Sequence, residues 1–212
     1  MDGGSRKSVA SRELRAASRE LRTASRAVLL LVTLGTALPA RAQSGPVLTV
    51  RVDNQAAIDG ATITHALTVA ARIFRRAAIP IQFAADRLDD PALTIVVIPA
   101  TSSTALRPAD DSMGVAPSAA DGTRGNVAYV FADRVVRFAE NGRLDPAVVF
   151  GCAIAHELGH LLLPVNAHTR DGIMRGNWDT SFLPRTTAGV PGFPPEQARL
   201  LQLRVAARLS GR

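Results

Sequence analysis

The feature that most constrains the fold is an apolar stretch at residues 147–163 that contains no helix-breaking proline. Asp145 and Pro146 precede it, and these residue types favour the N-cap and the first turn of a helix. Pro164 follows it and ends a helix at that point. Because apolar side chains occur on every side of this helix, we predict a central helix that is buried all round.

Polar residues interrupt the apolar helix at few positions, and they form the pattern His156-Glu157-x-x-His160. Residues four apart lie on one face of a helix, so the two imidazoles can bind the same metal ion. Glu157 lies about 100° further round and can reach a water molecule on that ion. Three of the four histidines of the chain fall within residues 156–168, and His168 can return from beyond the helix as a third ligand.

We therefore predict a Zn²⁺ ion held by His156, His160 and His168, with Glu157 as the catalytic base. Three protein ligands with one open position are typical of catalytic zinc sites, whereas structural sites are closed by four ligands. Glu157 would accept a proton from the water and pass it to the leaving amine.

Other side chains near the motif leave two alternatives open. Asn166 or Asp171 can take the place of His168, although imidazole is the commoner zinc ligand beside two others. Cys152 lies four residues before His156 on the ligand face, either as a fourth ligand or, more ordinarily, as a buried free thiol. Because it is the only cysteine, the chain has no intrachain disulfide.

Residues 1–42 have the composition of a secretory signal peptide. A basic region rich in Arg and Ser is followed by an apolar run at residues 27–38 and by an A-x-A site at residues 40–42. We predict cleavage after Ala42 and export to the periplasm or out of the cell. The apolar run is too short for a membrane span, and a membrane-surface helix at residues 8–26 is the alternative for the basic region.

Residues 43–212 are predicted to form a single domain. They carry 17 arginines, no lysine and 15 acidic residues, so the net charge of +7 comes mostly from the N-terminal segment. Such a balanced charge gives no support for nucleic-acid binding. We expect a monomer with no nucleic-acid partner and no stable membrane span.

Hydrophobic periodicity in the mature region predicts an α+β domain. It contains a small, mixed, twisted sheet of about four strands, packed on a long N-terminal helix and the central helix, with a C-terminal helix. The strands are predicted at residues 47–52, 79–83, 93–98 and 127–131. The helices are predicted at residues 62–78, 133–140, 147–163 and 196–209. Residues 99–126 are predicted to be a long loop.

The motif resembles that of the metzincin clan of zinc metallopeptidases, which have an extended H-E-x-x-H motif and a later tight turn that carries a Met. The matching residues are the three ligands, the general base and the methionine of that turn: His156, His160, His168, Glu157 and Met174. Residues 155–178, 72–75 and 128–135 are similar to a group of exported bacterial metzincin-like proteins. The usual metzincin spacing has Gly three residues and the third ligand six residues after the second His, where this chain has Leu163 and Asn166.

The residues and the resemblance together predict an exported zinc-dependent endopeptidase. Its partner would be a peptide or protein substrate, and by analogy with the fold an extended peptide would pair with an edge strand near residues 127–131. The alternative is a zinc-binding interaction module, or an inactive protease relative, without turnover. A hydrolase of non-peptide amides is a third possibility that the same residues permit.

Overall fold

The chain builds one mixed sheet and four α-helices within the residues that the structure, a computed structural model, describes. These residues are 47–84, 91–99, 106, 112–118, 125–184 and 187–211, and all of them belong to one compact unit, Gly45–Arg212. The signal peptide predicted for residues 1–42 lies outside them. In chain order the elements are β1 (Leu48–Asn54), α1 (Gly60–Arg76), β2 (Ile81–Ala84), β3 (Leu93–Ile98), β4 (Gly114–Val115), β5 (Val127–Phe131), α2 (Ala132–Gly142), α3 (Pro146–Leu162) and α4 (Pro195–Ser210).

The five strands have the order β2-β1-β3-β5-β4, and all neighbours are parallel except β4, which runs antiparallel to β5. The mixed α+β class is therefore confirmed. β3 lies in the middle of the sheet, and all six of its residues are buried because both faces are covered. Ile95 and Val97 join the main core with the helices, while Val96 and Ile98 pack with Phe131 in a smaller cluster.

The structure corrects two predictions about the sheet. The described sheet has five strands where about four were predicted, because Gly114–Val115 pairs with Val130 and Tyr129 inside the segment predicted to be a loop. Consequently residues 127–131 are not an edge strand: β3 lies on one side of them and β4 on the other. A two-residue strand has no hydrophobic alternation, so the sequence pattern could not reveal it.

Helix α1 packs along α3 and begins two residues earlier than predicted. The Asp59 side chain accepts a hydrogen bond from the backbone N–H of Thr62 at 2.9 Å, as an N-cap residue does. The helix ends at Arg76, because Ala78 has a φ of 56°, which helical residues do not adopt. Its buried face consists of Ala66, Val69, Ala70, Ile73 and Phe74.

Helix α3 is the buried central helix that the sequence predicted. Asp145 is its N-cap and accepts from the N–H of Ala147 at 2.8 Å. Gly151 allows α1 to approach closely, since a Cβ there would lie 2.5 Å from Val69 Cβ. Among the described residues, no helix combines the length and hydrophobicity that a bilayer span requires.

Candidate metal centre

Helix α3 presents His156, Glu157 and His160 together in its last two turns. His156 is 8% exposed and Glu157 5% exposed, whereas His160 is half-buried where the helix approaches its end. The Nε2 atoms of the two histidines lie 3.0 Å apart. The helix thus aims both imidazoles at the same point, as the i, i+4 spacing predicts.

His168 reaches this point from the loop that follows α3. A turn at Val165 and Asn166, where Asn166 has a φ of 63°, reverses the chain after Pro164. The Nε2 atom of His168 lies 3.1 Å from that of His160, and a Cβ on Gly176 would lie 3.2 Å from the His168 ring. The turn therefore brings His168 back beside the end of helix α3.

The three histidines form the one group in the described part of the chain that is suited to hold a metal ion. Their ligand atoms all lie within 4.8 Å of one another. Nitrogens around a tetrahedral Zn²⁺ lie about 3.3 Å apart when each Zn–N bond is about 2.0–2.1 Å, so the separations of 3.0 and 3.1 Å suit such an ion. Asp171, one of the alternative third ligands, is not a member of the group.

The backbone carbonyl of Ile173 orients His156. Its oxygen lies 2.8 Å from His156 Nδ1, so Nδ1–H donates to it and the lone pair of Nε2 is left to face the other histidines. The pKa of His156 is lowered to about 4, mainly by burial; the bond to Ile173 opposes this shift and the charge of His168 adds a smaller contribution to it. His156 is therefore neutral at pH 7, as a metal ligand must be.

The Glu157 carboxyl group lies beside the histidines in an environment that opposes its charge. Burial raises the pKa of Glu157 to about 8, and its Oε2 atom is buried without a hydrogen-bond partner. Gly114 of strand β4 packs against it, because a Cβ at that position would lie 2.6 Å from Glu157 Cγ. A buried, unpartnered carboxyl group requires an explanation, and a cation at the histidines supplies one.

Met174 lies in a tight turn in which the N–H of Arg175 donates to the carbonyl of Gly172 at 3.1 Å. The side chain is fully buried, and its Sδ atom would lie 2.4 Å from a Cβ on Gly159, between the two helical histidines. Only a glycine at position 159 leaves room for this sulfur. The methionine thus packs against helix α3 at Gly159.

An open cleft of about 450 Å³ gives access to the histidines and Glu157. Strand β4 forms one wall with Gly114 and Val115, and the loop after the tight turn forms another with Asn177 and Trp178. The Trp178 ring meets His156 edge-on at 5.4 Å and donates to the Arg175 carbonyl at 2.9 Å. The cleft is large enough for a short stretch of extended peptide.

Cys152 does not join the centre. It is fully buried, and burial raises the pKa of its thiol to about 12, so it remains a neutral packing residue. Two other residues that contribute to the site, Gly114 and Gly176, were not predicted from the sequence. Each is important because it has no side chain, and a single glycine in a Gly-rich and Ser-rich stretch carries no pattern that marks it.

Comparison with known proteins does not place the chain in a family. No protein-family model matches it, and no curated protein matches it. The chemistry of the centre is therefore inferred from its geometry, which is a cluster of three histidines close enough to bind one metal ion, beside a buried carboxyl group.

Proposed function

We propose that the protein is a zinc-dependent hydrolase of peptide bonds, with its metal held by His156, His160 and His168. The observation that supports this most is the position of Glu157. A site that only stores or binds a metal gains nothing from a buried carboxyl group with an unpartnered oxygen at the edge of its cleft. A hydrolase needs such a group to move a proton.

The donor set suits zinc. Three imidazoles from one helix and a following loop, with the cleft on their open side, leave one coordination position for a water or a substrate. When bound, zinc in such a site polarises a water molecule and the carbonyl group of the substrate. The bond from His156 Nδ1–H to the Ile173 carbonyl keeps that imidazole in the tautomer able to ligate.

Glu157 would act as the general base and then as the general acid. In the metal-free site its raised pKa keeps the carboxyl group protonated at pH 7, because burial disfavours its charge. With a divalent cation held at the neighbouring imidazoles, Glu157 would take the carboxylate form, which is the form that can act as a base. The carboxylate then accepts a proton from water in the cleft and gives it to the amine that leaves.

Strand β4 is the element best placed to bind an extended peptide. It has a strand neighbour on one side only within the described sheet, and both of its residues line the cleft beside Glu157. A peptide added along this edge would make main-chain hydrogen bonds and cross the histidine cluster. In this proposal the substrate pairs one strand further out than the strand at residues 127–131 for which the sequence predicted this pairing.

A metzincin-like architecture is part of the proposal. Its support is the combination of a third histidine from the loop after the helix and a tight turn that packs Met174 against Gly159. Export through the predicted signal peptide at residues 1–42 is also part of the proposal, and it gives the peptidase access to substrates outside the cytoplasm.

Cleavage of a peptide library by the purified protein tests the proposal. We expect turnover with Zn²⁺, loss of turnover after chelation, recovery on adding Zn²⁺ back, and loss in Glu157→Gln. Glu140→Gln is the matched control, because Glu140 is an exposed glutamate of helix α2 away from the cleft. A wild-type protein that bound zinc and cleaved no peptide would indicate the interaction module instead.

A further inference from the structure

His156 is connected through one residue, Ile173, to a segment that lies far from it in the sequence. Ile173 accepts from His156 Nδ1 through its carbonyl, and its own N–H donates to the carbonyl of Gly192 at 2.8 Å. Gly192 belongs to residues 190–194, which we name the backing segment. Every residue of the backing segment lies outside the helices and strands, so its position depends on tertiary contacts.

Arg76, the last residue of helix α1, holds the backing segment at two points. Its Nη1 atom donates to the carbonyl of Val190 at 2.6 Å. Its guanidinium plane lies against Gly192, since a Cβ on that glycine would be 3.5 Å from Arg76 Cζ. The contacts thus run from α1 through the backing segment and Ile173 to His156.

We propose that Arg76 is a positioning residue of the metal centre, acting through the backing segment and Ile173 on His156. When the guanidinium is removed, the segment loses its anchor and Ile173 loses a fixed position for its carbonyl. His156 can then rotate, or carry its proton on Nε2, and in that tautomer the nitrogen that faces the other two histidines has no free lone pair for a metal. The inference rests on the metal-binding part of the proposed function and is independent of hydrolysis.

Gly172 offers a second place at which the same connection can be broken. Its φ is 81°, and a Cβ there would lie 2.6 Å from the Gly192 carbonyl oxygen. Gly172→Ala must therefore push the backing segment away from Ile173 while leaving Arg76 intact. If the connection orients His156, the two substitutions weaken metal binding in the same way.

Zinc affinity of the full chain, measured by competition with a chromophoric chelator, is the first test. We expect Arg76→Met to weaken binding about tenfold, the lower end of the range for outer-shell partners. Arg76→Lys keeps a donor for Val190 and should retain most of the affinity. Arg75→Met is the matched control, because Arg75 is the exposed preceding residue of the same helix turn. The free energy of unfolding of each metal-free variant separates positioning from loss of folding.

The second test is the tautomer of His156 in the metal-free protein, observed in ¹⁵N imidazole spectra. Wild type and Arg75→Met should show the proton on Nδ1, whereas folded Arg76→Met and Gly172→Ala should show a larger Nε2–H population. Unchanged zinc affinity and an unchanged tautomer in folded Arg76→Met would overturn the proposal. A protein that binds zinc without cleaving peptides refutes the peptidase and leaves this result standing, because neither measurement requires turnover.

Discussion

Adding one methyl group at Gly114 should separate catalysis from metal binding. A Cβ at this position would lie 2.6 Å from Glu157 Cγ, 2.7 Å from Glu157 Oε1 and 2.6 Å from the Tyr129 carbonyl oxygen. Favourable contacts between carbon atoms need about 3.5 Å, so something must move by about 1 Å. Because Tyr129 belongs to a strand that is hydrogen-bonded to a neighbour on both sides, the Glu157 side chain is the group that moves.

The expected effect of Gly114→Ala on peptide cleavage is a fall in kcat/KM of about 100-fold, the size that a 1 Å misplacement of a catalytic group produces. The zinc dissociation constant should stay at its wild-type value, because the atoms nearest to a Cβ at Gly114 belong to Glu157 and Tyr129 and not to a histidine. Gly60→Ala is the control, since a Cβ there meets nothing within 4 Å. Wild-type cleavage by Gly114→Ala would refute this reasoning, as would an equal loss in zinc affinity.

Three further predictions concern Glu157, Cys152 and His168. Burial raises the pKa of Glu157 from 4.5 to about 8. As pH rises between these two values, the unfolded chain releases the Glu157 proton before the folded protein does, so the free energy of unfolding of the metal-free protein falls. In urea titrations of the metal-free protein, the free energy of unfolding of Glu157→Gln should rise relative to that of wild type by about 3 kcal/mol between pH 4.5 and 7, with Glu140→Gln as the control. Burial raises the pKa of the Cys152 thiol to about 12. Mass spectrometry should therefore show no alkylation of Cys152 in the native protein at pH 8 and complete alkylation after unfolding. Rapid alkylation of the native protein would contradict the buried position of Cys152. His168→Ala should weaken zinc binding by more than about 100-fold, which exceeds the effect of losing an outer-shell partner. Asn166→Gly should bind zinc as wild type does. If Asn166→Gly weakened binding and His168→Ala did not, Asn166 would be the ligand.

Local patterns were sufficient to predict the helix that carries the motif. An Asp-Pro start, an unbroken apolar run and the i, i+4 spacing of His156 and His160 act within one helix, so they need no knowledge of the rest of the fold. The same holds for β3, whose continuous apolar run correctly predicted a central strand. These features depend on neighbours a few residues away.

Strand β4 and the contacts behind His156 could not be predicted in this way. Gly114 matters because its missing side chain leaves room for Glu157, and Arg76 matters because its guanidinium meets the Val190 carbonyl across 114 positions of sequence. Contacts of this range have no periodicity, and a lone glycine or arginine carries no signal of what it touches. The sequence also left Asn166 and Asp171 open as ligands until the turn after α3 placed His168 beside His160.

By itself, the sequence determined that two imidazoles and a carboxyl group share the face of one buried helix, because helical geometry follows from local residue preferences. Only the tertiary structure decided how these groups are oriented and what faces them. It brought the third histidine within 3.1 Å of His160 Nε2, placed the Ile173 carbonyl behind His156 and packed an edge strand against Glu157. These positions depend on how distant segments of the chain pack around a shared core, and a close-packed core allows few such arrangements.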